Sequence, residues 1–320
     1  MNNLIQITPP KRRHPDWLKV RLPDAASYKK INSMITAGKT NTVCQEAKCP
    51  NIGECWSNGT ATLMIMGDTC TRACRYCNVK TAHVGNPLDP EEPKKVAEIV
   101  RDLKLKYTVI TSVDRDDLED AGSNHFAETI KQIHNLTECS VEVLTPDFTG
   151  DDLKRVIDAK PEVFAHNIEA AERMFKKVRA KGDYAKSLNI LKQAKVLNPQ
   201  QKTKSAIMVG FGETKQELIQ TMKNLRDHDC DFLSIGQYLQ PTQKHIKLEK
   251  YYTPEEFDEL AEEGRKLGFL HVEAGPLVRS SYRADKLNAF IDSDSVIKSK
   301  SHLSQEQADK RVASSGECQP

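Results

Sequence analysis

Between residues 60 and 275, short apolar runs alternate with stretches whose apolar residues recur every three or four positions. An apolar or β-branched run without alternation suits a strand buried on both faces, and the longer spacing suits one face of a helix. Seven strand candidates follow: TATLMIM (60–66), YTVITSV (107–113), VEVLT (141–145), VFAHNIE (163–169), SAIMVGFGE (205–213), FLSIGQYL (232–239) and LHVEA (270–274). Val96, Ile99, Val100 and Leu103 predict one helix, Phe126, Ile130 and Ile133 a second, and Leu153, Val156 and Ile157 a third. A further helix is expected after VFAHNIE. Two more have marked starts, Thr214 with Glu217, and Thr253 with Pro254 and Glu256, which fit capping boxes.

Strands separated by helices imply parallel βα units. Such units close into a barrel or spread into a doubly wound sheet, and periodicity does not choose between them. In both, functional groups belong on loops at the C-terminal ends of strands. Residues 1–60 have no sustained hydrophobic period, and the serine-rich stretch 291–320 is expected to be a flexible tail.

The chain has 320 residues, of which 38% are hydrophobic, enough for one large core. Its formal net charge of +2 gives no reason to expect nucleic-acid or membrane binding. Lys11, Arg12 and Arg13 are expected to form a solvated basic face. The N-terminus lacks the apolar segment of a signal peptide, and no run approaches the roughly 18 apolar residues of a membrane span. A reducing, cytoplasmic compartment is therefore expected. There, clustered cysteines more often bind metal or do redox chemistry than form disulfides.

Nine cysteines are present, and six lie between residues 44 and 77. CTRACRYC (70–77) sets Cys70, Cys74 and Cys77 at Cys-x3-Cys-x2-Cys spacing on a loop after the first barrel-type strand. Thiolates suit zinc or iron–sulfur clusters. Zinc asks for a fourth ligand, and the only histidine close by is His83, without finger-like pairing. Three thiolates can instead hold three irons of a [4Fe–4S] cube and leave one iron open for chemistry. This spacing, with Tyr76 before the last cysteine, resembles the radical S-adenosylmethionine superfamily. The resemblance implies that the open iron binds S-adenosylmethionine, whose reductive cleavage yields a 5′-deoxyadenosyl radical.

Cys44, Cys49 and Cys55 form a second set at Cys-x4-Cys-x5-Cys spacing. Alone, this set is weak evidence, because three stray or buried cysteines are a live alternative. Together with TVCQEAKCPNIGECW and GTATLMIMGDTCTRACRYCNV, the blocks TSVDRDDL (111–118), HNIE (166–169), MVGFGET (208–214), IGQYLQPT (235–242), YYTPEEF (251–257) and AGPLVRSSYRA (274–284) resemble the lipoyl synthase family. That likeness runs from about Pro15 to Asp285.

It implies an α/β fold, a partial parallel (βα)6 TIM-type barrel over 61–275. An N-terminal cysteine-rich extension (1–60) precedes it, and a C-terminal segment (276–290) carrying a serine ligand and the tail (291–320) follow it. The implied activity is insertion of two sulfur atoms, at C6 and C8, into an octanoyl chain amide-linked to a lysine. The sulfur would come from a sacrificed auxiliary [4Fe–4S] cluster held by Cys44, Cys49, Cys55 and Ser281. A hard serine oxygen beside three thiolates suits a cluster meant to lose an iron.

S-adenosylmethionine would rest on Tyr76 beside the adenine, with Asn167 and Glu169 as polar contacts. Implied partners are octanoylated lipoyl carrier domains (H protein and the E2 lipoyl domains of 2-oxoacid dehydrogenases), a ferredoxin or flavodoxin, and an iron–sulfur carrier. A monomer is expected. Another radical S-adenosylmethionine enzyme with an auxiliary cluster, a methylthiotransferase or a biotin-synthase-like protein, is the rival reading.

Other residues invite plainer readings. Asn167 and Glu169 also suit a helix cap and first-turn acid. Asp114, Asp116 and Asp117 are expected to solvate a loop or pair with Arg115 rather than bind metal. Gly210 and Gly212 lack the rest of a phosphate loop and suit close backbone approach. His166, Cys139 and Cys230 read as packed core residues, and Cys318 as a thiol in the tail. Two positions depart from the family pattern: Ala121 before Gly122, where paired glycines are frequent, and Ala206 after Ser205, where a glycine is.

Overall fold

The first barrel strand, Thr60–Ile65, is buried along its whole length, as a strand covered on both faces must be. It belongs to a computed structural model that describes residues 15–18, 33, 41–42, 51–57 and 60–291. In chain order the strands are β1 (Asn41–Thr42), β2 (Thr60–Ile65), β3 (Thr69–Cys70), β4 (Lys80–Thr81), β5 (Tyr107–Ser112), β6 (Ser140–Leu144), β7 (Val163–Ala165), β8 (Lys202–Val209), β9 (Phe232–Gln237) and β10 (His271–Gly275). The helices are α1 (Ile52–Ser57), α2 (Glu92–Asp102), α3 (Ser123–Leu136), α4 (Gly150–Asp158), α5 (Glu172–Val178), α6 (Tyr184–Leu197), α7 (Lys215–Asp227) and α8 (Pro254–Lys266), with a 3-10 turn at Ala284–Leu287.

The main sheet runs β1-β2-β5-β6-β7-β8-β9-β10. β1 is antiparallel to β2, and every later pairing is parallel. Seven parallel strands joined by helical crossovers curl into a half-barrel, so the partial-barrel alternative is the one adopted. Helices pack by the apolar faces read from the sequence: Val96, Ile99 and Val100 of α2, Phe126, Ile130 and Ile133 of α3, and Leu153, Val156 and Ile157 of α4 are all buried. Both capping boxes form. The Thr214 and Thr253 side chains accept from the Glu217 and Glu256 amides, and both glutamates accept in return.

Three expectations shift. β8 starts at Lys202, earlier than the apolar run suggests, because Lys204 is buried and its ammonium bonds both Glu142 oxygens at 2.9 Å. Tyr107 donates to the same carboxylate at 2.8 Å. VFAHNIE pairs as a ladder only to Ala165 and touches the sheet again at Glu169 through one bridge to Ile207. Between β7 and β8 there are two helices, not one.

Ala284 and Leu287 pack on Tyr107, Val109, Val163 and Phe232. Tyr107, Val163 and Phe232 are the first residues of their strands, so the C-terminal segment fills the N-terminal end of the barrel. The opposite end is left for chemistry. Cys44, Cys49, Lys11–Arg13, Cys318 and the tail from 292 onward lie outside the described residues.

Candidate active site

The cysteine loop leaves β2 through Met66 and Gly67, both left-handed (φ 68° and 84°). Its two ends are pinned together: β3 and β4 pair Thr69 with Lys80 and Cys70 with Thr81. Neighbouring loops bond its backbone. The Thr71 amide donates to Asp114 O at 2.9 Å, the Arg75 amide to Val178 O at 3.0 Å, and His245 Nε2 to Cys77 O at 3.0 Å. Cys70 is buried, and Cys74 and Cys77 are half-buried.

Burial raises all three thiols, Cys74 to about 12 and Cys77 to about 11. Charge on Cys77 disfavours charge on Cys74, and Cys70 acts likewise on Cys77, so the three sulfurs share one environment. Unliganded, such thiols hold their protons; iron must displace them. Among the described residues, no three His, Cys, Asp or Glu side chains meet at one point as ligands of a single ion would. Three thiolates that each take a different iron of a cube need not do so.

Around this loop stand groups from the ends of the next three strands. Asp114 follows β5, Asp147 follows β6, and His166, Asn167 and Glu169 follow β7. Arg72 reaches Asp114 at 3.5 Å and Asp116 at 2.8 Å, and also pairs with Asp147. Asp147 in turn accepts from Arg179 at 2.9 Å and faces His166 Nε2 at 3.3 Å. Burial opposes the Asp147 charge, but the nearby His166 side chain and the two guanidinium groups hold it far below the usual carboxylate range. Asp114, by contrast, is raised because desolvation outweighs Arg72 and Arg179. The pairing foreseen for Arg115 holds for Asp117, at 2.8 Å; Asp114 and Asp116 pair with Arg72 instead.

Tyr76 packs on Ala170, Met174, Val178, Phe211, Tyr238 and Leu248. Its side chain faces the Glu169 carboxyl, and Asn167 Nδ2 donates to Glu169 Oε1 at 3.1 Å. Glu169 is left-handed (φ 68°), and burial raises its carboxyl. Neither Asn167 nor Glu169 caps a helix, since α5 starts at Glu172 with Ala171 before it. Asn167 Oδ1 is buried with no hydrogen-bond partner among the described residues. The loop cysteines, Tyr76, Asn167 and Glu169 therefore share one barrel mouth. An orphaned acceptor, a carboxyl and a thiol set in that mouth fit a thiolate-bound cluster and a polar, amine-bearing cofactor.

Gly210 behaves as expected. At φ 115°, a Cβ there would lie 2.5 Å from Gln237 Nε2 and 2.8 Å from Lys250 O. Ala121 keeps the left-handed conformation (φ 48°) that paired glycines would adopt more readily.

The second candidate site joins distant segments. Asn51 Nδ2 donates to Leu277 O at 2.5 Å, and Tyr282 and Arg283 bond Glu54 at 3.0 Å. Cys55, on the same helix α1, lines a small cavity with Glu54, Thr60, Tyr282, Arg283 and Asp285. Ser281 accepts from the Thr62 hydroxyl at 2.8 Å.

Residues 64–225 match the Radical SAM superfamily. Lipoyl synthase of Caldanaerobacter subterraneus subsp. tengcongensis is 52% identical over 275 residues, covering 85% of this chain and 96% of that protein. Lipoyl synthase of Halalkalibacterium halodurans is 51% identical over 278 residues, covering 86% and 91%. The chain belongs to the lipoyl synthase family. Among solved structures, the FeFe-hydrogenase maturase HydG of Carboxydothermus hydrogenoformans superposes with TM-score 0.53 at 16% identity, over 73% of this chain and 66% of that one. Methylornithine synthase gives 0.51 at 14%, over 66% and 70%. These two likenesses concern the fold alone.

For a lipoyl synthase family member, sequence reasoning missed Arg72, Asp147 and Arg179. Their one signal was position: Asp147 lies just past a strand end, where barrel chemistry gathers.

Proposed function

We propose that this protein inserts sulfur at C6 and C8 of an octanoyl chain carried on the lysine of a lipoyl carrier domain, H protein or an E2 lipoyl domain. The observation that carries the reading is the convergence of Cys70, Cys74, Cys77, Tyr76, Asn167 and Glu169 at one mouth of the barrel. Docking of the Cys55 helix on the Ser281 segment adds support for a second cluster on the same chain. In this reading Cys70, Cys74 and Cys77 hold the first cluster, and Cys44, Cys49, Cys55 and Ser281 hold the second, whose sulfur is a substrate. Held by those three cysteines together with S-adenosylmethionine, the first cluster would supply the radical chemistry for hydrogen removal from the octanoyl chain.

The chain's own residues then have defined tasks. Tyr76 and the apolar patch behind it shape a wall for the adenine. Asn167 Oδ1 would take a hydrogen bond from the cofactor, and Glu169, held by Asn167, would fix its polar end. Asp147 clamps Arg72 and Arg179, which stiffens the cysteine loop. The Ser281 oxygen, a hard donor, would hold an iron less firmly than a fourth thiolate. Placing the sulfur donor on the same chain matters because a carbon radical must meet its partner at once. An acidic electron carrier such as ferredoxin or flavodoxin supplies electrons, and an iron–sulfur carrier rebuilds the consumed cluster. The working form is a cytoplasmic monomer, a sulfurtransferase by class.

The test is turnover of an octanoyl-lysine peptide by reconstituted protein, with iron and sulfide counted before and after. The expected result is about eight irons at the start, a dithiolated product, and loss of one cluster's sulfide. S-adenosylmethionine cleavage without thiolation overturns the reading.

A further inference from the structure

The outer edge of the cysteine loop is basic out of proportion to the chain. Three stretches, 70–81, 173–182 and 240–248, contain no aspartate or glutamate, in a protein whose formal charge is only +2. They are bonded into one surface. The Arg75 amide donates to Val178 O at 3.0 Å, the Ile246 amide to Arg75 O at 2.9 Å, and Lys181 Nζ to Thr71 O at 3.2 Å. Arg75, Lys176, Lys177, Lys181, Lys244 and Lys247 are all exposed on it. The acids nearest the loop are engaged on its inner side, where Asp114, Asp116 and Asp147 face Arg72 and Arg179. Glu249 offsets Lys247 at one margin, at 3.0 Å. Exposed Glu172 and Asp183 flank the middle stretch, so the six exposed bases outnumber the acids at the margins and the face keeps a net positive field.

We propose that this face docks an acidic one-electron donor protein, so that electrons enter through the outer edge of the 70–77 loop. The proposal rests on the reading above, in which the cluster held by that loop must be reduced before each cleavage. Charge complementarity selects an acidic partner and speeds encounter. Nucleic acid is a poorer fit, because Tyr76 packs inward and, among the described residues of these three stretches, no exposed aromatic side chain stands beside the basic ones for bases to stack on. A carrier domain is a poorer fit too. Its acylated lysine must enter the barrel, whereas an electron need only reach the loop's edge.

The experiment uses the full, reconstituted chain and the double variant Lys177→Glu/Lys244→Glu, with oxidised flavodoxin as the probe. Neither side chain belongs to the cluster or cofactor site. Flavodoxin is expected to bind the parent protein with an affinity that falls as salt rises, and the variant at least tenfold more weakly. Photoreduction by a neutral deazaflavin should give equal 5′-deoxyadenosine from both proteins. Equal flavodoxin affinity overturns the proposal. So does a variant that binds flavodoxin normally but octanoylated carrier domain weakly, which would give the face to the carrier. Salt-sensitive, variant-sensitive flavodoxin binding with no 5′-deoxyadenosine under any reductant would support the docking surface and overturn the reaction instead.

Discussion

The Thr62 hydroxyl donates to Ser281 at 2.8 Å, tying the first barrel strand to a segment that follows the last. The half-barrel is thus bridged across its open side by a residue proposed to hold a cluster. The two roles separate by substitution. Thr62→Val should cost about 1 kcal/mol of stability and leave the iron content unchanged. Ser281→Cys should keep the iron while slowing sulfur delivery several-fold, because a thiolate holds iron better. Iron and sulfide analysis with single-turnover product counts checks both. A Ser281→Cys protein as fast as the parent would remove serine's special role.

The two cysteine sets should fail differently. Cys74→Ala is expected to abolish 5′-deoxyadenosine formation and keep about four irons in the other cluster. Cys49→Ala should still form 5′-deoxyadenosine and deliver no sulfur. Thiolated product from Cys49→Ala would refute the donor role of that set.

Asp147 anchors Arg72, Arg179 and His166, with its side chain only 7% exposed. Asp147→Asn removes the one carboxylate among the described residues that ion-pairs with both arginines. Breaking such a buried arrangement costs about 3–5 kcal/mol, and the low end is expected because Arg72 keeps Asp114 and Asp116. The pH dependence has a definite sign. Native Asp147 titrates far below the value of about 3.9 for a free aspartate. Its contribution is therefore complete above about pH 4 and lost as pH falls toward the native pKa. Denaturant titrations should show the gap between parent and variant narrowing only below about pH 4. A gap that stays constant into acid would mean that Asp147 acts by packing.

Much of this was legible because local patterns and tertiary demands agree. TATLMI reads as a strand covered on both faces and is one, and Thr214 and Thr253 start helices by chemistry confined to four residues. What failed was polar residues facing inward. Lys202–Lys204 looks like a loop until Glu142, two strands away, receives the Lys204 ammonium. Asp147 likewise gains meaning only when Arg72 and Arg179, 75 and 32 residues away, arrive beside it. Pairings of that range leave no periodicity to read. Ser281 was reached only through the family resemblance, since a serine before a tyrosine is otherwise a turn residue.

The docking of the C-terminal segment on the sheet depends on a missing side chain. A Cβ on Gly236, in β9, would lie 2.1 Å from the carbonyl oxygen of Val278. That oxygen is backbone, so Gly236→Ala cannot be relieved by turning a rotamer; the segment must lift. Overpacking of this kind costs about 1–3 kcal/mol. The strain falls three residues from Ser281 and far along the chain from the 70–77 loop. Gly236→Ala is therefore expected to lose iron from the second cluster while keeping 5′-deoxyadenosine formation. Gly268→Ala is the control: unlike Gly236 it is left-handed (φ 87°), and its added Cβ meets nothing within 4 Å. That change should lower stability through backbone strain alone and leave the full iron complement. If both variants kept all their iron, the close approach of Val278 to Gly236 would not be what seats Ser281.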